Sequence, residues 1–138
     1  RDRLELDINL REFDGWEISK QERFGEFFIR VMLARHIPEE AAVTASEGWG
    51  NDSFIFYERG DDFAFIWWIF FDSPDDSKEF FLAFQEMMNS VEEADVLEDG
   101  CCRVSWDAEG EDLKIKKRGA SGVIITASTD EALFSRLS

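Results

Sequence analysis

The feature that most constrains this chain is an unbroken apolar run over residues 63–71, nine residues of which six are aromatic. The run is too short to cross a bilayer as a helix, and its aromatic and β-branched content favours a β-strand. Such a strand has two apolar faces, one formed by Phe63, Phe65, Trp67, Ile69 and Phe71 and the other by Ala64, Ile66, Trp68 and Phe70. We therefore predict a central strand that is either covered on both faces within its domain or shared with a subunit interface.

The composition indicates one folded domain with an acidic surface. The chain has 138 residues, is 44% hydrophobic and carries a formal net charge of -16. Such a surface repels nucleic acid and anionic lipid, because residues 114–118 are the only concentrated basic stretch. We therefore expect no nucleic-acid partner and no direct membrane insertion by this segment. The chain begins at Arg1 without a leader-like stretch, which is typical of a mature protein or an excised domain.

The first half of the chain predicts an arm, two helices and a hairpin. Residues 1–14 form the predicted N-terminal arm, in which charged residues separate the apolar Leu4, Leu6, Ile8 and Leu10. An apolar stripe at helical spacing predicts a helix over residues 21–36, with one face made by Phe24, Phe27, Phe28, Val31 and Met32. Pro38 opens a short second helix that ends near Gly48. Strands are then predicted over 53–58 and 62–71, joined as an antiparallel hairpin.

The second half predicts a long helix, three strands and a short helix. Ser73 and Pro74 are typical of a helix start, and the helix over 74–90 should pack on the sheet through Phe80, Phe84 and Met87. Residues 92–100 are predicted to be an acidic linker. Short strands are predicted over 101–106, 112–117 and 122–127, and Ser128 starts a capping-box pattern for a terminal helix. The order predicts an α+β domain over 15–138, with a mainly antiparallel sheet and helices packed on one face.

Three short motifs resemble those of an uncharacterised family of prokaryotic envelope proteins, best represented among archaeal surface proteins. The motifs are Phe24-Gly25-Glu26-Phe27, Gly48-Trp49-Gly50-Asn51-Asp52, and Phe71-Asp72-Ser73 followed by Asp76, Glu79 and Phe80. The family shows Gly-Trp-Gly-Gly-Asp and Trp-Asp-Ser patterns, so this chain departs from it at Asn51, Phe71 and Ser77. The resemblance covers about 15–138 and implies an extracytoplasmic setting, in the cell envelope or secreted. It implies no activity, cofactor or catalytic residue.

The loop over residues 48–52 allows two interpretations. Its glycines would let backbone approach a ligand and its Trp offers a stacking face, whereas a tight helix-to-strand connection would use the same Trp as a hydrophobic plug. In the second interpretation, Asp52 hydrogen-bonds loop amides. The ligand-binding candidates are Trp49, Asn51, Asp52, Trp67 and Trp68.

No catalytic, metal or cofactor site is predicted. The acid pairs Asp61-Asp62, Asp75-Asp76 and Asp107 with Asp112 invite a Ca²⁺ or glycosidase interpretation, but they lack EF-hand spacing and suit solvated turns and caps. His36 is the only histidine, so a Ser-His or Cys-His arrangement has no obvious partner residues. The adjacent Cys101 and Cys102 are poorly placed for a structural disulfide and are expected to be two free thiols in a strand.

Two function classes remain from the sequence. The favoured class is a non-catalytic binding or protein-interaction module of an envelope-associated protein, and the alternative is a small carboxylate-dependent hydrolase or ion-binding enzyme. Large apolar groups on both faces of residues 63–71 predict a homodimer or a protein partner on the sheet, with Phe54, Phe56 or Trp68 at the contact. A curved sheet that closes over its own ligand cavity would bury the same side chains.

Overall fold

The computed structural model describes residues 15–91 and 94–136. The predicted N-terminal arm, residues 1–14, therefore lies outside the described residues. The described elements are, in chain order, β1 (Glu17–Glu22), α1 (Gly25–Ala34), α2 (Glu39–Ser46), β2 (Trp49–Arg59), β3 (Asp62–Phe71), α3 (Pro74–Asn89), β4 (Ala94–Asp99), β5 (Arg103–Ala108), β6 (Glu111–Arg118), β7 (Gly122–Ser128) and α4 (Glu131–Arg136).

The strands form one seven-stranded sheet in the order β1-β2-β3-β7-β6-β5-β4, and every neighbouring pair is antiparallel. Two groups of strands, β1 to β3 and β4 to β7, are joined by α3 and meet where β3 pairs with β7. Short connections join β2 to β3 and each successive pair from β4 to β7, whereas β1 reaches β2 through α1 and α2, and β3 is connected to β7 through α3 and the strands β4 to β6. The α+β fold with an antiparallel sheet is confirmed.

The central strand is confirmed with the predicted bounds and the predicted division of its faces. Trp67 pairs with Phe54 of β2 and Ile125 of β7, whereas its neighbour Trp68 pairs with Ser53 and Ile124 on the opposite face. We call the face that carries Trp67 the helix face, because its side chains form the main core with α1, α2 and α3. The other is the α4 face, where Leu133 of α4 packs with the strand residues Tyr57, Ala64 and Ile66.

Helix α3 is anchored as predicted. The Ser73 hydroxyl accepts a hydrogen bond from the Asp76 amide at 3.1 Å, which satisfies one of the free amides of the first turn. Phe80, Phe84 and Met87 are buried in the core of the helix face. The short α4 is the exception to the one-sided arrangement of the helices.

Several element bounds differ from the prediction because strand pairing overrides local patterns. Residues 21 and 22 continue β1, which pairs with β2, so α1 begins at Gly25. Residues 94–99, predicted as linker, form the edge strand β4 on β5. Cys101 and Cys102 are free thiols, but they lie in the exposed turn after β4 rather than in a strand.

The cap of α4 also differs from the prediction. The carboxylate of Asp130, not the hydroxyl of Ser128, accepts the amides of Ala132 and Leu133 at 2.9 and 3.2 Å. Ser128 instead accepts the amide of Asp130 at 2.9 Å. The helix begins two residues later than the capping-box pattern indicated, because β7 continues through Ser128.

Candidate functional site

The side chain of Asp52 joins the start of α1 to the sheet. It is 1% exposed, and its two oxygens accept four N–H groups. Oδ1 accepts the Gly25 amide at 2.9 Å and the Trp49 indole at 3.0 Å. Oδ2 accepts the Phe24 amide and the Trp67 indole, both at 2.9 Å. A buried carboxylate is costly unless it is hydrogen-bonded, and here the amides at a helix start and two indoles meet that need.

The Gly-Trp-Gly segment also contacts the start of α3. The Asp72 amide donates to the Gly48 carbonyl at 2.8 Å, and the Ser73 hydroxyl donates to Asp76 Oδ2 at 2.8 Å. A Cβ at Gly48 would collide with the Asp76 carboxyl group, and one at Gly50 would lie 3.1 Å from Asp72 Oδ1. Glycine is therefore required at position 48 by close packing. We call this meeting of α1, β2 and α3 the motif junction, since all three sequence motifs contribute to it.

A connected set of phenylalanine rings extends from the motif junction over the helix face. Phe28 stacks on Phe24 with ring centroids 4.4 Å apart, and Phe24 lies 4.7 Å from Phe54. Phe54 lies 5.2 Å from Phe65 and 6.4 Å from Phe56. The set ends with Phe63, 5.6 Å from Phe56. We call these rings the aromatic surface: Phe24, Phe28, Phe54, Phe56, Phe63 and Phe65.

The aromatic surface is open to solvent along α1. Phe28 is 42% exposed, and on the same helix Phe27 and Val31 are 68% and 45% exposed. The structure packs Phe24 and Met32 of the predicted apolar stripe against the core and buries Ile29 and Leu33 beside them, whereas the other stripe residues stay exposed. The exposed apolar residues could have been expected from the sequence, because α1 carries more apolar residues than one side of a helix can hold. Only one side can pack on the sheet of its own domain.

The predicted ligand-binding residues do not form one site. Trp49, Asp52 and Trp67 meet in the motif junction, where they hydrogen-bond one another. The side chain of Asn51 accepts the amide of Asp52 at 2.9 Å. Trp68 lies on the α4 face, and the guanidinium of Arg118 lies 5.2 Å from its ring centroid. Of the predicted contact residues, Phe54 and Phe56 belong to the helix face, so Trp68 cannot share a flat contact with them.

Of the predicted acid pairs, Asp75-Asp76 lies at the start of α3, where Asp76 belongs to the motif junction, whereas Asp107, Asp112 and the two cysteines lie on other strands and turns. Asp107 and Asp112 are opposite each other on β5 and β6, and burial, Asp107 and Glu131 raise the pKa of Asp112. Hydrogen bonding to Cys101 raises the pKa of the Cys102 thiol. Within residues 15–91 and 94–136, no group of three or more His, Cys, Asp or Glu side chains is placed to hold a metal ion.

The fold and the junction define a class of protein: a small α+β domain whose motif residues fix two helices against an antiparallel sheet. The chain belongs to the family described as a domain of unknown function, DUF8575, whose model matches residues 11–136. No curated protein matches it. In the described part of the chain, no helix is long and apolar enough to cross a membrane.

Among solved structures, the chain is similar to the extracellular domain of PknH from Mycobacterium tuberculosis. The TM-score is 0.56 at 12% sequence identity, and the match covers 88% of this chain and 81% of that chain. At this identity, the similarity concerns the fold alone.

Proposed function

We propose that this domain is a non-catalytic binding module of an envelope-associated protein, and that the aromatic surface binds an apolar segment of a protein partner. The observation that carries the proposal is the connected set of six rings that continues onto the exposed Phe27 and Val31 of α1. Monomeric soluble proteins rarely expose contiguous apolar surface of this kind unless it binds something.

The chemistry of the rings suits protein recognition. A phenylalanine side chain that passes from water into an interface contributes about 2 kcal/mol, and it loses little conformational freedom because it has only two rotatable bonds. Aromatic anchors at the centre of an interface carry most of its binding energy. Exposed α1 and the half-buried strand residues would form such a centre, with the charged residues Lys20, Glu22 and Glu58 on neighbouring strand positions as a polar rim.

The motif junction packs against the inner side of the aromatic surface and fixes its position. The Trp67 ring lies edge-on to Phe24 and Phe28, with centroids 5.4 and 5.9 Å apart. The bonds from Asp52 to Phe24 and Gly25 fix the end of α1 from which Phe28 projects. In this proposal Trp67 lines the underside of the binding surface, and Trp49 and Asp52 hold it in place.

The extracytoplasmic setting rests on two supports. The sequence motifs resemble those of prokaryotic envelope proteins, and the fold is similar to that of the extracellular domain of PknH. Immunoblots of cytoplasmic and envelope fractions from the native organism test it, and a purely cytoplasmic signal contradicts it.

Exposed residues offer a direct test of the binding surface. The neutral dye N-phenyl-1-naphthylamine should bind the domain saturably, and the double variant F27S/F28S should weaken binding roughly tenfold, because two apolar contacts are lost. Leu82→Ser is the matched control, since Leu82 is 53% exposed on α3 and lies outside the aromatic surface. Equal loss of binding in L82S, or no loss in F27S/F28S, would show that the dye does not report on this surface.

A further inference from the structure

The α4 face carries a cluster of cations that the proposed function does not use. Lys114, Lys116 and Arg118 alternate along β6 and point to this face, and Arg103 of β5 is the direct neighbour of Lys116. Their side is fixed by the register, because Lys114 pairs with Thr126 and Lys116 with Ile124 of β7. We call these four residues the cationic patch. It is separated from the aromatic surface by the thickness of the sheet.

The cationic patch is positively charged, although the molecule as a whole is acidic. The chain has a net charge of -16, yet among the described residues Arg103, Lys116 and Arg118 form no ion pair. Burial, Arg103 and Arg118 lower the pKa of Lys116. Burial, Arg103 and Lys116 together lower the pKa of Lys114 to about 8, while Glu98 acts in the opposite direction. Arg103, Lys116 and Arg118 therefore repel one another without an ion pair in the described residues to offset the repulsion.

Four acids lie around the Lys114 end of the patch. Glu98 of β4 raises the pKa of Lys114, and Asp112 is two positions before Lys114 on the same face of β6. Asp107 of β5 and Glu131 of α4 are near enough to Asp112 to raise its pKa. Arg118 lies at the other end of β6, where it contacts the ring of Trp68. The half of the patch that contains Lys116, Arg118 and Arg103 is therefore the half where an added negative charge would be most favourable.

Two buried polar groups on the same face lack hydrogen-bond partners. They are the indole Nε1 of Trp68 and the hydroxyl of Thr126, which are 7% and 1% exposed as residues. Thr126 is the strand neighbour of Lys114, and Trp68 is covered by Arg118. An indole N–H can only donate, and an unpartnered buried donor is costly, so this group needs an acceptor. Arg103, Lys116, Arg118 and the Trp68 N–H on this face therefore all favour the same chemistry, an oxyanion.

The spacing of the patch narrows the ligand further. Alternate residues of a strand are about 6.6 Å apart, so Lys116 and Arg118 form a row of two accessible cations on this face of β6. Lys114 is 5% exposed and lies beneath the Phe134 ring of α4, so it stands behind this row rather than in it. An extended peptide with a carboxylate at every second residue presents its charges at the same spacing. We propose that the cationic patch binds an extended, carboxylate-rich segment of a polypeptide, which runs along β6 and over β7, with Arg118 moving aside to admit a carboxylate to Trp68 Nε1.

The test uses the whole domain and a defined probe. The probe is a capped peptide of alternating Glu and Thr of about eight residues, long enough to span the row, and the neutral probe is its Gln-Thr counterpart. NMR follows the indole N–H resonance of Trp68, which is assigned with the variant Trp68→Phe. We expect a saturable shift of this resonance with the Glu-Thr peptide and none with the Gln-Thr peptide.

Charge-matched variants make the assignment specific. K116Q/R118Q should weaken binding of the Glu-Thr peptide at least roughly tenfold, because charge-assisted bonds are lost. K78Q/R35Q removes the same charge from exposed positions outside the patch and should change the affinity less than about twofold, since exposed charges more than a Debye length away are screened. Equal effects of the two variants, binding of the neutral peptide, or tighter binding of a single-stranded oligonucleotide would each overturn the proposal. Because these residues lie on the α4 face, failure here leaves the aromatic surface untouched.

Discussion

A single carboxylate explains why the first helix begins where it does. Asp52 accepts two amides from the start of α1 and two indoles from neighbouring strand residues. The prediction that Asp52 bonds backbone amides is confirmed, but the amides belong to Phe24 and Gly25 rather than to its own loop. Gly25 has a φ of +87°, which only glycine adopts easily, so its amide can be aimed at the carboxylate. The local sequence motif is thus a tertiary anchor.

The first prediction at this scale concerns Trp67, which is 4% exposed and donates to Asp52. Trp67→Ala should lower the free energy of unfolding by roughly 3 to 5 kcal/mol, because it leaves a cavity and removes one donor from a buried carboxylate. Trp67→Phe keeps most of the ring volume and should cost less. Urea denaturation measures both, and a loss below about 1 kcal/mol for the alanine variant contradicts this role.

The second prediction concerns pH and Lys114. Its pKa of about 8 in the folded domain lies below its usual value of about 10.4 in the unfolded chain. Between these two pKa values the unfolded state binds more protons than the folded state, so the free energy of unfolding rises with pH. The penalty from the charged Lys114 side chain is therefore greatest below about pH 8 and disappears above the unfolded pKa. The free energy of unfolding of the wild type, relative to Lys114→Met, should rise on the order of 1 kcal/mol from pH 7 to 9.5.

Urea titrations at several pH values measure that difference. Lys20→Met, which removes an exposed lysine of β1, serves as the control for loss of a lysine. A difference for Lys114→Met that does not change with pH would show that its ammonium group is not penalised in the folded domain.

At the scale of elements, the sequence predicted correctly those strands and helices whose formation depends mainly on their own residues. Strand β3 has too many aromatic and β-branched residues to be anything else, and α3 has a complete helix start at Ser73 and Pro74. Both are confirmed almost to the residue. Strand β4 was missed because an exposed edge strand with three acidic residues resembles a linker, and only its pairing with β5 makes it a strand.

The candidate site was predictable to a lesser degree. The Gly-Trp-Gly motif was recognised, since glycine and tryptophan are unusual enough to stand out, but residues 49–52 begin strand β2 rather than form a loop. Three of the five predicted ligand residues meet in the motif junction. The aromatic surface was not predicted, because periodicity gives the apolar sides of a helix but not which side faces the sheet. Which side faces the sheet depends on how Asp52 fixes the first residues of α1. Asp52 and Gly25, which make this contact, are 27 residues apart in the sequence, so local periodicity does not show it.

At the scale of the whole molecule, the two faces of the sheet differ in character. The helix face ends in an open aromatic surface, whereas the α4 face carries the cationic patch within an otherwise acidic protein. The two proposed surfaces lie on opposite faces, so the two proposed partners, one apolar and one acidic, would not compete for space. The net charge of -16 then limits self-association, because two copies repel one another at low ionic strength.

The last prediction concerns a homodimer, which apolar contact would favour and charge repulsion would oppose. Two aromatic surfaces could pack against each other, and the copies would then bury Phe27, Phe28 and Val31, which are exposed in the single chain. Repulsion between the acidic surfaces should suppress this at 50 mM NaCl, where the Debye length is about 14 Å, and permit it at 500 mM, where it is about 4 Å. Sedimentation velocity over a hundredfold concentration range should therefore show a dimer at high salt in the wild type but not in F27S/F28S. Strictly monomeric wild type in both salts removes the homodimer and leaves the aromatic surface to a different partner.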